Sequence, residues 1–157
     1  MECIYTNGTV TALISLFDKR GRDNKLPDGE ITVWKLCKIN KQPNNFVSED
    51  SEQNQDLSKY VYVYVELLVP ATARRITPYP NQHYKSRVEY AQVTAIIDKD
   101  GTRYQEAESF VRKNSILKYK VGEMVHPDKF NGSINESCGA GINVHLYKDQ
   151  CDVWLDY

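Results

Sequence analysis

The sequence predicts one β-rich α+β domain spanning residues 1–157, built on a twisted, mainly antiparallel sheet with a few short helices. Residues 60–67 alternate strictly between tyrosine or glutamate and aliphatic side chains, and this period of two predicts a strand over 60–69. Other short alternating runs are bounded by turn-forming residues. A chain of 157 residues with 41% hydrophobic residues can bury a single core.

Four strands are predicted along the chain. The turn-forming sequence LPDGE precedes the first, and Pro70 ends the pairing of the second. The sequence DKDG predicts a tight turn after the third, with Gly101 supplying a positive φ. The fourth leads into residues 148–157, which predict a short helical turn. The strands are 31–38, 60–69, 88–97 and 141–147.

Three of the strands present an apolar face to the predicted core. In the second strand that face holds Val61, Val63, Val65, Leu67 and Val69. In the third strand it holds Ala91, Val93, Ala95 and Ile97, and in the fourth Ile142, Val144 and Leu146. The opposite face of the second strand carries tyrosines. Two interpretations are open: the tyrosines line a pocket, or they pack beneath another layer or a partner. Packing is favoured, because aromatic residues are frequent strand formers in any case.

A polar stretch interrupts the pattern at about residues 41–58. It contains few apolar residues and four acids, Glu49, Asp50, Glu52 and Asp56, against Lys41 alone. Such a composition buries too little apolar surface to offset the entropy of ordering, so we expect a flexible insertion within the domain.

Charge and hydropathy exclude several classes of protein. The formal net charge of −1 argues against a general nucleic-acid binder. No apolar run approaches the roughly 20 residues of a membrane span, so no membrane partner is expected. The N-terminus has no basic region followed by an apolar run, so we expect no secretory signal there. We expect the chain in the cytoplasm, which for a viral protein is that of the host cell.

The four cysteines favour neither a metal site nor a redox site. They are scattered, and no pair has the spacing of a zinc ribbon or a redox motif. Cys138, His145 and Cys151 offer three zinc ligands but no short paired spacing, so we predict no metal and no other cofactor. Cys138 and His145 also suit a nucleophile and base, but no third orienting residue is evident. We predict no catalytic residues and expect Cys138 to be a buried thiol.

The stretch ATARRITPYPNQHYKSRVEY, residues 71–90, is the strongest candidate for binding. Its arginines can pair with phosphate through two hydrogen bonds, and its aromatic rings can stack on bases. The competing interpretation is a solvated loop whose charges balance nearby acids. Two residues on the polar face of the last strand complete the predicted site. The candidate ligand-binding residues are Arg74, Arg75, Tyr79, His83, Tyr84, Lys85, Arg87, Asn143 and His145.

The order of four segments resembles a known family. These segments are YVELLVPATARR, VEYAQVTAII, YKVGEMV and ESCGAGINVHLYKDQ, within residues 60–150. The likeness is to an uncharacterised domain of large DNA viruses and bacteriophages, often found beside pentapeptide repeats. Its Pro-Ala-Asp-Ala-Lys-Arg motif has Thr72 here in place of the acid, and Asn143 stands where the family usually has histidine. His145 lies two places later, on the same strand face.

Two classes of function follow from these observations. The first is a non-enzymatic viral or phage protein that sequesters a small anionic ligand, such as a nucleotide-derived signal of host defence, and acts as a homo-oligomer like other proteins of that kind. The second is a structural or protein-interaction module of a virus that uses the tyrosine face. A cysteine-dependent or nucleotide-modifying enzyme is the third alternative.

Overall fold

The computed structural model describes residues 16–40, 60–79, 81–110, 117–135 and 139–156. The described chain forms strands β1 (Ile31–Asn40), β2 (Tyr60–Val69), β3 (Arg75–Ile76), β4 (Ser86–Val88), β5 (Ala91–Ile97), β6 (Glu106–Glu108), β7 (Lys118–Lys120), β8 (Met124–Val125) and β9 (Ile142–Val144). Two short 3-10 helices are η1 (Gln82–Tyr84) and η2 (Lys148–Asp156). The predicted insertion at 41–58 and Cys138 lie outside the described residues.

The strands form two antiparallel sheets. The larger has the order β7-β6-β1-β2-β5-β8, and the smaller has the order β3-β4-β9. At the centre of the larger sheet, β1 and β2 pair along their whole length, from Ile31 opposite Val69 to Asn40 opposite Tyr60. The predicted β-rich α+β fold with a mainly antiparallel sheet is confirmed. Within the described residues, no helix is long and apolar enough to cross a membrane.

The aliphatic face of β2 forms the centre of the core, as its alternation predicts. Val63, Val65, Leu67 and Val69 are fully buried, while the tyrosines on the opposite face are at least partly exposed. Complete burial of a side chain of this size stabilises the fold by about 1.5–3 kcal/mol. The final helical turn is also confirmed, since η2 follows β9 and packs against β1.

The third predicted strand differs from the structure in two ways. It is divided between the sheets, because the chain leaves the smaller sheet at Val88 and enters the larger sheet at Ala91. The register with β2 then shifts between Val93 and Ala95, so Thr94 is an extra residue in β5. After this bulge Ile96 is buried, and Ala95 and Ile97 are only half-buried.

Candidate functional site

The outer edge of β1 has a gap between two neighbours. Trp34 pairs with His145: the Trp34 N–H donates to the His145 carbonyl at 2.8 Å, and the reverse bond is 2.7 Å. Lys38 pairs with Glu108 of β6. Backbone groups of an antiparallel strand point to alternate edges, so Leu36 faces the same side as these two residues. Within the described residues, no strand pairs with Leu36 on that side.

A cavity of about 80 Å³ lies at this gap. Its described lining combines basic, polar and aromatic side chains with Leu36, and none of these residues is acidic. The lining residues are Lys35, Leu36, Lys85, Ser109, Phe110, Asn143, His145 and Trp154. Two cations around a small partly enclosed space produce a positive potential that attracts anions.

The two lysines reach the cavity from different elements. Lys35 lies on the aliphatic face of β1, and its Nζ donates to the Asn143 carbonyl at 3.0 Å. Lys85 follows η1 and is only 3% exposed, with its Nζ 5.9 Å from the centre of the Trp154 ring. Both lysines therefore belong to the described lining of one cavity, which makes that lining cationic.

His145 is held neutral behind the lysines. The indole N–H of Trp154 donates to its Nε2 at 2.8 Å, and its Nδ1 lies 3.0 Å from the carbonyl oxygen of Tyr84. An indole can only donate, so Nε2 is the acceptor and Nδ1 carries the proton that is donated to Tyr84. Burial lowers the pKa of His145 to about 3, and the charges of Lys35 and Lys85 act in the same direction. Both ring nitrogens are therefore occupied, which leaves no lone pair for general-base catalysis.

A strained turn places Lys85. His83 and Tyr84 both have left-handed backbone conformations, with φ of 56° and 57°. Such values are uncommon for residues other than glycine and persist where surrounding contacts enforce them. The Asn81 side chain donates to the Lys85 carbonyl at 2.8 Å, and His145 donates to the Tyr84 carbonyl. The turn is thus anchored on both sides, so the position of Lys85 is fixed by the fold.

Buried amides extend this anchoring to the rest of the domain. The Asn24 amide donates to the Asn81 Oδ1 at 3.0 Å, and the Gln150 amide donates to the Asn24 Oδ1 at 2.8 Å. Gln150 also donates to Asp18 at 2.9 Å. These hydrogen bonds connect η2, the segment before β1 and the strained turn, which all meet behind the cavity.

The three predicted arginines do not line the cavity. Arg74 is exposed and pairs with Glu89 at 2.8 Å. Arg87 is completely buried and donates to the carbonyls of Asn131 and Ser133. Arg75 donates to four backbone carbonyls, those of Pro27, Gly29, Pro70 and Ala73. These contacts give all three guanidinium groups a role in holding loops together.

The other predicted residues divide into three groups. Lys85, Asn143 and His145 line the cavity. His83 and Tyr84 lie behind it, with the His83 ring centre 4.8 Å from that of Trp154. Tyr79 is largely exposed, and its backbone N–H donates to the Ile134 carbonyl.

Two important cavity residues were missing from the prediction. Lys35 had a usable signal, because it is a charged residue on the face of the first strand that also carries Val33 and Cys37. Such an inward-facing lysine points to a function or a buried partner. Trp154 had none, because its position near His145 depends on how η2 folds back onto β1.

Comparison with known proteins places the chain in a family. No curated protein and no solved structure matches it. A family model matches residues 22–151, which include both cavity lysines and His145. This range covers most of the 157 residues. The chain therefore belongs to DUF5758, a family of unknown function.

Proposed function

We propose that this protein binds a small anionic ligand without transforming it, and that Lys35 and Lys85 hold the anionic group. The observation that carries the proposal is the lining of the cavity, which includes two lysines and no acidic residue among its described members. Charge-assisted hydrogen bonds of this kind contribute about 1.5–3 kcal/mol each. The Leu36 N–H, which faces the gap at the edge of β1, is a further donor for the same anion.

The size of the cavity limits what it encloses. One water molecule occupies about 30 Å³ of the liquid, so a volume of about 80 Å³ holds a few waters or one oxyanion group. Complete drug-sized ligands occupy pockets of roughly 300–1,000 Å³. The enclosed part of the ligand is therefore a phosphate, sulfate or carboxylate group, and the remainder lies outside.

The lining supports binding rather than catalysis. A serine nucleophile needs a base that removes its proton, and His145 has both ring nitrogens engaged. Ser109 is the hydroxyl residue of the described lining, and its Oγ already accepts from the backbone N–H of Leu117 at 2.9 Å. Neither residue supports the enzymatic alternative.

The identity of the ligand is a finer proposal. The resemblance to viral and phage domains favours a protein that sequesters a nucleotide-derived signal of host defence in the host cytoplasm, as a homo-oligomer. The competing proposal is an interaction module that contacts another protein through the tyrosine face. If this protein binds no small anion, the second proposal is favoured.

Calorimetric titration with inorganic phosphate and sulfate tests the proposed function. Lys35→Met and Lys85→Met keep the length of the side chain and remove its charge. Each is expected to weaken binding about 10- to 100-fold, as follows from losing one charged hydrogen bond. Lys99→Met is the matched control, because Lys99 is exposed in the turn after β5.

The outcomes separate clearly once circular dichroism shows that each variant is folded. Weaker binding by both cavity variants and unchanged binding by Lys99→Met support the proposal. Wild-type protein that binds neither anion contradicts it, and so do cavity variants that behave like the control.

A further inference from the structure

Three aromatic rings form a cluster beside the cavity, here called the aromatic shelf: Tyr60, Tyr62 and Phe110. The Tyr60 and Tyr62 rings lie 5.3 Å apart edge to face, and the Phe110 ring lies 5.8 Å and 5.7 Å from them. These distances are typical of favourable aromatic contacts. Lys38 adds a cation 5.2 Å from the centre of the Tyr60 ring and pairs with Glu108.

The aromatic shelf is continuous with the cavity. Phe110 belongs to both, since it lines the cavity and contacts both tyrosines. At the other end of the same sheet face, η2 covers the surface: the Tyr64 hydroxyl donates to Asp152, and Lys148 lies over the Trp34 ring. Leu36, which lies between Trp34 and Lys38 along β1, lines the cavity.

The tyrosines of β2 differ in availability. Tyr64 is engaged by η2, whereas Tyr62 is 42% exposed although it belongs to a packed cluster. A partly exposed ring in a preformed cluster is a platform on which a planar group stacks at little cost in conformational entropy. An aromatic platform beside a cationic cavity suits a ligand that carries a planar ring and an anionic group a short distance apart.

We infer that the aromatic shelf binds the base of a free nucleotide whose phosphate occupies the cavity. This inference rests on the proposed anion binding at Lys35 and Lys85 and adds the part of the ligand that the cavity does not enclose. Because Phe110 lines the cavity and contacts both tyrosines, a base stacked on the shelf lies next to the cavity that holds the phosphate. The ligand class is therefore a nucleoside phosphate.

A free nucleotide fits this surface better than a nucleic-acid strand. Strand binders follow the phosphate backbone with an extended basic groove. Here the side chains of β6 beside the shelf are Glu106 and Glu108, and the formal net charge of the chain is −1. A cationic cavity of about 80 Å³ has room for one phosphate group.

Three probes of increasing size test the inference by calorimetry: inorganic phosphate, ribose 5-phosphate and AMP. One stacked base contributes about 1–3 kcal/mol, so wild-type protein is expected to bind AMP about 5- to 150-fold more tightly than ribose 5-phosphate. Tyr60→Leu and Tyr62→Leu keep apolar volume but remove the ring, and neither residue belongs to the described lining of the cavity. Both are expected to reduce the preference for AMP and to leave the affinity for ribose 5-phosphate unchanged. Tyr79→Leu, an exposed tyrosine away from the shelf, is the control.

Failure of the inference and failure of the proposed function give different results. If AMP and ribose 5-phosphate bind equally and Lys35→Met weakens both, base binding by the aromatic shelf is refuted and the proposed anion site stands. No binding of any of the three probes overturns both. A 5′-phosphorylated oligonucleotide that binds more tightly than AMP also overturns the inference, because the shelf then serves a strand.

Discussion

Acidification is expected to destabilise this protein through one buried histidine. The pKa of His145 is lowered to about 3 in the folded chain, mainly by burial and also by Lys35 and Lys85. In the unfolded chain it returns to about 6.5. The neutral ring therefore contributes stability that is present above about pH 6.5 and is lost as pH falls towards 3. Between pH 7.5 and 5.0 the unfolded state binds a proton at His145 that the folded state does not bind. This difference lowers the free energy of unfolding by about 2 kcal/mol.

Within this pH window, the change in the free energy of unfolding comes largely from histidine. The pKa values of Asp18 and Asp149 are lowered in the folded state, so the stability they contribute is lost only below about pH 4. The pKa of His83 is also lowered, first by burial and then by Lys85, so it adds a loss of the same sign. A variant of His145 separates the two histidines.

Urea unfolding at pH 7.5 and pH 5.0 measures the effect. In His145→Asn the amide can still donate to the Tyr84 carbonyl, but no ring titrates. Wild type is expected to lose about 2 kcal/mol more than the variant on acidification. Equal losses would refute the assignment of a neutral, enclosed ring. If the variant does not fold, a nuclear magnetic resonance titration of wild type decides, because the His145 ring signals should not shift between pH 7.5 and 5.0.

Two further substitutions test the packing around the site. Trp154→Phe removes the indole donor from His145 Nε2 and should cost about 1–3 kcal/mol in urea unfolding, since a buried acceptor loses its partner; an unchanged midpoint would contradict the hydrogen bond. Arg87→Lys should lower the melting temperature markedly, because one ammonium cannot reproduce the planar guanidinium that donates to the carbonyls of Asn131 and Ser133. A melting temperature equal to that of wild type would show that the charge alone matters at position 87.

The central sheet was predictable because its signal is local. Alternation in 60–69 identifies both the strand and its buried face, and β1 and β9 follow from shorter runs of the same kind. The division between β4 and β5 was missed, although Glu89 interrupts the alternation that begins at Ala91, where the chain enters the larger sheet. The bulge at Thr94 depends on the register with β2, which the sequence of β5 does not encode by itself.

The candidate site was predictable only in part, for a related reason. A basic, aromatic segment draws attention to arginines, but whether an arginine faces a ligand depends on its partners. Arg74 meets Glu89 across a turn, and Arg87 meets carbonyls more than 40 residues away in sequence. Lys35 and Lys85 meet at one cavity because β9 brings His145 to the edge of β1, which is a property of the assembled sheets.

Locating a bound oxyanion tests the central claim most directly. Crystals grown with tungstate, whose metal gives a strong anomalous signal, would report its position without any assumption about the site. We predict a peak in the cavity beside Leu36, within hydrogen-bond distance of the Nζ atoms of Lys35 and Lys85, and loss of that peak in Lys85→Met. Peaks confined to exposed arginines and lysines elsewhere, with this cavity empty, would contradict the account.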